Sequence, residues 1–137
     1  MAIVNECIPY YEPGGRLTCH VEADVTGKRF VAVTDPKQAA SAGLTTSVTG
    51  GNIVVSPCGA GARGLGVAVY DKAAGGKVPV IAAPGTIVPV LAGAAITGGN
   101  EVEVAAGGKV IPLNTGKAVG MAVGDASNNT DALIKLY

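Results

Sequence analysis

Short β-branched runs punctuated by paired glycines leave this chain little choice of secondary structure. Gly-Gly pairs stand at 14–15, 50–51, 75–76, 98–99 and 107–108. Such pairs supply the positive φ angles that tight hairpin turns require. Between them lie runs such as Ile53-Val54-Val55 and Glu101-Val102-Glu103-Val104, too short for stable helices and rich in residues that suit a pleated sheet. The pattern predicts strands over 17–21, 29–33 and 53–55, then near 65–70, 77–82, 86–91, 101–105, 109–113, 118–123 and 132–136. Strands this short and this regularly spaced argue for an antiparallel sandwich or barrel.

One phrase recurs three times, as Val31-Ala32-Val33-Thr34-Asp35, Val67-Ala68-Val69-Tyr70-Asp71 and Met121-Ala122-Val123-Gly124-Asp125. Each reads as a strand running into a turn, where the Asp carboxylate accepts a backbone N–H about two residues on. Residues 65–81 align without gaps on 119–135, sharing Gly66/Gly120, Ala68/Ala122, Val69/Val123 and Asp71/Asp125. These segments read as two related hairpins within a single domain over 21–137.

The first 20 residues differ. Ile8-Pro9-Tyr10-Tyr11-Glu12-Pro13-Gly14-Gly15 places prolines on both sides of two of the four tyrosines. Proline fixes φ and disfavours helix in the residue before it, so 1–20 is expected to be an extended arm, the alternative being an ordinary edge strand packed on its own domain. Aromatics concentrated in such a segment suit a contact surface. Asp35-Pro36 reads as a helix start, with Asp as N-cap and Pro at the first helical position, and residues 37–42 supply a turn or two before Gly43. That is the one short helix expected.

Composition narrows the function classes. Charged residues make up 15% of the 137, against a usual quarter, and ten basic residues cancel ten acidic ones. A nucleic-acid binder would show a basic stripe, and Lys28-Arg29 is the one basic pair. Low charge suits a surface that a partner covers. Residues 78–100 carry no charge, but Pro79, Pro84, Pro89, Gly85 and Gly93 would break a membrane helix repeatedly. The stretch reads instead as two buried strands joined at Pro84-Gly85. Cys7, Cys19 and Cys58 have no close spacing, and no secretory leader pattern precedes them, which predicts reduced thiols in a cytoplasmic setting.

Three chemistries find no support. Cys19 and His20 are adjacent, so in a strand they point to opposite faces and cannot act as nucleophile and base. With one His and scattered thiols there is no C-x-x-C core for zinc, and Asp35, Asp71 and Asp125 are expected as turn caps without metal-loop spacing. Gly59-Ala60-Gly61-Ala62-Arg63-Gly64 lacks the Gly-Lys-Ser/Thr ending of a phosphate loop. The expectation is a non-enzymatic protein with no cofactor and no metal.

Several stretches together resemble capsid decoration (cement) proteins of tailed phages infecting actinobacteria. They are Ile8 to Gly14, Val25-Thr26-Gly27-Lys28-Arg29-Phe30-Val31-Ala32-Val33, Leu65-Gly66-Val67-Ala68-Val69-Tyr70-Asp71, Pro84-Gly85-Thr86-Ile87-Val88-Pro89-Val90, Ala95 to Gly99, Glu101 to Val104 and Val119 to Val123. The resemblance implies an all-β fold, a small antiparallel β-barrel or β-tulip-like domain. It implies a homotrimer on the outer surface of the phage head, made in the host cytoplasm, that binds the major capsid protein and braces the shell, with no nucleic acid or membrane as partner. By the same analogy Pro9, Tyr10, Tyr11, Pro13 and Arg16 would reach the capsid or a neighbouring subunit. Asn128-Asn129-Thr130 departs from the Gly-rich turn usual there, which leaves the form of that hairpin open. Other readings are a tail or head–tail joining component, or a small ligand-binding β-barrel.

Overall fold

A computed structural model describes residues 16–34 and 53–137. Among the described residues there are ten strands: β1 (Arg16–Val21), β2 (Phe30–Val33), β3 (Ile53–Pro57), β4 (Gly66–Ala68), β5 (Lys77–Ile81), β6 (Ile87–Leu91), β7 (Glu101–Val104), β8 (Val110–Pro112), β9 (Gly120–Ala122) and β10 (Asp131–Leu136). Among the described residues, the helical content is a single 3-10 turn at Ala106–Gly108. No helix of the described residues is long and apolar enough to cross a membrane. The helix expected from Asp35 falls outside the described residues.

The strands form two five-stranded units. β1 to β5 close into a barrel in the order β1-β3-β2-β4-β5, and β6 to β10 form a sheet in the order β6-β10-β9-β7-β8. The stretch 21–137, expected as one domain, carries strands of both units. Residues 16–20, assigned to an arm by the sequence reading, lie within β1 of the barrel. The barrel is not wholly antiparallel, because β1 and β3 run parallel. A ring of five strands cannot alternate direction all the way round, so at least one ladder must be parallel.

The second unit repeats the first, register for register. In β1 and β5, Arg16 pairs with Ile81; in β6 and β10, Ile87 pairs with Lys135. Phe30 pairs with Val67 as Glu101 pairs with Met121. Val31 pairs with Pro57 as Val102 pairs with Pro112. The parallel Val21–Val55 pairing that helps to close the barrel recurs in the second unit as one isolated bridge, Ala92 to Val110. The turns match as well. Lys28 and Gly99 occupy one place with φ of 62° and 89°, and Gly75 and Asn129 another with φ of 91° and 63°. Asn enters the left-handed region more readily than most residues, so Asn129 makes the turn that glycine makes in the twin hairpin.

Small side chains fill both interiors. Cys19, Val21, Val31, Val55, Ala68, Val78 and Val80 pack inside the barrel. The second interior is built from Val88, Val90, Val102, Val104, Val110, Ile134 and Leu136, and the first unit contributes Phe30 and Val67 to it. Phe30 is only 2% exposed. The core of the second unit thus extends into the first, beside the barrel's own separate core, and the outward row Phe30–Val67 of the barrel is what joins them. Around this joint, the Leu91 N–H donates to the Lys28 carbonyl at 2.9 Å and the Gly61 N–H to the Val104 carbonyl at 2.7 Å. Lys28 also pairs with Asp131 across the joint at 2.7 Å.

β5 and β6 follow each other through Pro84-Gly85 but are not paired. β5 bonds to β1 and β4, and β6 to β10. Gly85, at φ 84°, donates to the Leu136 carbonyl and sends the chain from one unit into the other. The expectation of two strands buried together is corrected on this point, since Ile87 and Pro89 of β6 face solvent.

Candidate functional site

Of the residues singled out for partner contact, Pro9, Tyr10, Tyr11 and Pro13 lie outside the described residues. Arg16 opens β1 with its side chain exposed, opposite Ile81.

Among the described residues both thiols are buried. Cys19 is wholly buried, and burial pushes its thiol up to about 11. Cys58 is also free and buried, its thiol raised for the same reason. A nucleophilic cysteine needs the opposite shift. His20 follows Cys19 on the strand and is half-buried. Among the described residues, no group of three or more His, Cys, Asp or Glu side chains could hold a metal ion.

The aspartates do cap turns, but not their own. Asp71 Oδ1 accepts the Gly27 N–H at 2.8 Å, and Asp125 Oδ1 accepts the Gly98 N–H at 2.8 Å. Each carboxylate reaches a turn between two distant strands, β1 and β2 or β6 and β7, because Val25–Lys72 and Ile96–Ala126 bridges hold the turns side by side. Gly27 and Gly98 are needed there: an added Cβ would lie 2.8 Å from Tyr70 Cα and 2.9 Å from Gly124 Cα. Asp35, in the first copy of the phrase, lies outside the described residues.

Glu103 is the one buried charged residue among those described. Its Oε2 accepts the Asn114 and Gly116 N–H groups at 2.7 and 2.8 Å, which folds the loop after β8 over it. The glycine-rich stretch 59–64 serves the joint, since Gly61 donates to Val104 and accepts the Lys117 N–H. Arg63 is exposed and lines a shallow cleft with Leu136 and Tyr137.

What stands out on the surface is a sheet face. Outward positions of β6, β10 and β9 carry Ile87 (54% exposed), Leu133 (50%) and, just past β9, Val123 (43%), with Pro89 exposed beside them. They are neighbours by register: Leu133 pairs with Pro89, Val123 donates its N–H to the Leu133 carbonyl, and Lys135 sits between Ile87 and Met121. At the rim, the Tyr137 hydroxyl donates to Glu101 Oε2 at 2.7 Å, and this bond chiefly holds the phenol above its ordinary range. Sequence reasoning missed the face because Ile87 to Leu91 is apolar at every position, which reads as a strand buried on both sides.

The sequence of residues 12–136 matches the family model of phage cement proteins. The chain belongs to the phage cement protein family. As a cement protein it is a head-binding structural component of the virion, associated with the phage capsid. Its fold is also that of the N base of head fiber gp8.5 in bacteriophage phi29, with a TM-score of 0.69 at 20% identity over 89% of this chain and 92% of that one. No protein of curated function matches the cement chain in sequence.

Proposed function

We propose that this cement protein sits on the outer surface of the phage head, binds the major capsid protein and braces the shell as a homotrimer, without catalysing a reaction. The observation that carries the reading is the family match over residues 12–136. Physical chemistry supports it. A protein that binds one state of a shell stabilises that state by mass action. Its own surface costs little to desolvate, with 15% charged residues and a contiguous aliphatic face. In this reading the segment from Pro9 to Arg16 reaches capsid or neighbouring subunits.

The test adds purified protein to expanded heads that lack it. Co-sedimentation with the heads and a higher shell melting temperature are expected. Failure to bind heads, or binding to tails alone, would overturn the reading. Deleting residues 1–15 removes none of the described strands, so the truncated protein should fold and lose head affinity; unchanged affinity would reject the contribution of the arm.

A further inference from the structure

We propose that the outer face of β6, β10 and β9, centred on Leu133 and Lys135, is the footprint on the capsid, and that it meets an aliphatic shell surface bearing a carboxylate opposite Lys135. This rests on the head-binding role above and names the surface that carries it.

The internal repeat supplies the first argument. In the barrel, Phe30, Val67 and Ile81 form the outward row that corresponds to Glu101, Met121 and Lys135 in the second unit. The barrel's row is covered: Phe30 and Val67 are buried in the core of the second unit, and Ile81 packs against it. The same face of the same fold is thus already a docking face once in this chain. The second copy of that row, Glu101, Met121 and Lys135, has no further unit over it, and Ile87, Leu133 and Val123, about half exposed, flank it at positions whose barrel counterparts Arg16, Pro79 and Val69 lie outside the core of the second unit. Contiguous exposed apolar side chains on a soluble protein mark contact sites.

Phe30 enters where β6 and the 3-10 turn before β8 flank it, at the Leu91–Lys28 bond and the close approach of Gly108 to the Phe30 backbone. There the second unit is closed by the single bridge Ala92 to Val110. In the barrel the equivalent seam is shut by three residue pairs, Cys19 with Ile53, His20 with Val54 and Val21 with Val55. Another copy of this chain therefore offers no open seam to receive the free face. A head-binding protein has one other large partner, the shell.

Charge completes the match. Asp131 at one edge is paired with Lys28, and Glu101 at the other holds the Tyr137 hydroxyl. Among the described residues no carboxylate forms an ion pair with Lys135, which stands between Ile87 and Met121 in the sheet. Burying that ammonium against a partner is costly unless an anion meets it.

The test compares full-length wild type, Leu133→Asp, Lys135→Glu and Lys77→Glu for binding to heads lacking the protein. Lys77 is the barrel's exposed counterpart of Asp131 and serves as the control. Both substitutions on the face are on exposed side chains, so circular dichroism and melting temperature should match wild type. Leu133→Asp should lose roughly 30-fold in affinity, as expected at the centre of an interface. Lys135→Glu should lose at least about tenfold, and Lys77→Glu should bind as wild type. If wild type binds heads and both face variants bind equally well, the footprint is wrong while the head-binding role stands. If wild type does not bind, the role itself fails. If Leu133→Asp instead breaks up an oligomer of the free protein, the face belongs to a second copy and the capsid assignment is overturned.

Discussion

Phe30→Ala should weaken the protein more than any other single truncation on the barrel's outer side. The ring is 2% exposed and lies in the core of the other unit, so the change empties a site between two sheets. Phe-to-Ala truncations in cores cost about 3–5 kcal/mol, and the value depends on how well the site can collapse. Here collapse is restrained. Gly64 approaches the ring, and the Cys58 N–H holds the Phe30 carbonyl at 3.1 Å, so the backbone on that side is already pinned. About 4 kcal/mol is therefore expected, against a total of roughly 5–15 kcal/mol for a domain of this kind. With an unfolding entropy of about 2.1 cal/mol/K per residue, 137 residues give a melting shift of about 14 °C. Urea unfolding followed by far-ultraviolet circular dichroism reads the free energy, and calorimetry reads whether one transition becomes two. Phe30→Leu, which keeps most of the volume, should cost about 1.5 kcal/mol or less. A loss below about 1 kcal/mol for Phe30→Ala would show that Phe30 does not join the units.

The remaining expectations concern the twin features and the buried thiol. Asp71→Ala and Asp125→Ala should each cost about 1 kcal/mol in urea unfolding, and the double variant should show the sum, because the two turns share no partner. Gly66→Ala and Gly120→Ala should each cost about 2–3 kcal/mol, because a new Cβ would lie 2.3 Å from the Ile81 carbonyl oxygen in one case and 2.6 Å from that of Lys135 in the other. Cys19 binds its proton more tightly folded than unfolded, its pKa rising from 9.0 to about 11. Its contribution is fully present below pH 9 and is lost as pH rises toward 11, at up to about 1.4 kcal/mol per pH unit. Urea midpoints at pH 8 to 10.5 should fall accordingly, and Cys19→Ala should flatten that slope.

Much of the strand content was legible because the turns are chemically explicit. Gly75-Gly76 stands at the β4–β5 hairpin turn while Gly98-Gly99 turns the chain between β6 and β7, which do not pair, and strands fall at Ile53, Lys77, Ile87, Glu101 and Asp131 close to where the runs of β-branched residues lie. The likeness of 65–81 to 119–135 was legible too, because β4 and β5 are offset from β9 and β10 by one value, 54 residues from Gly66 to Gly120. The rest of the repeat was hidden. β1 and β2 stand 71 residues before β6 and β7, as from Arg16 to Ile87, because β2 and β3 are separated by a longer connection than β7 and β8. Opposite environments also erased the identities: Phe30 is buried in the joint where its counterpart Glu101 faces solvent. The aspartates were assigned the right task with the wrong partners, since local spacing cannot tell that Asp71 lies beside Gly27. The docking face needed the structure outright, because exposure of Leu133 and Ile87 depends on which surfaces the barrel covers.

A reconstruction of heads carrying this protein tests its role most directly. Density for both five-stranded units is expected on the outside of the shell, contacting the major capsid protein, with the Leu133 face toward it. Density confined to the tail or to the inside of the head, or none on heads that co-purify with the protein, would contradict a cement role on the outer capsid.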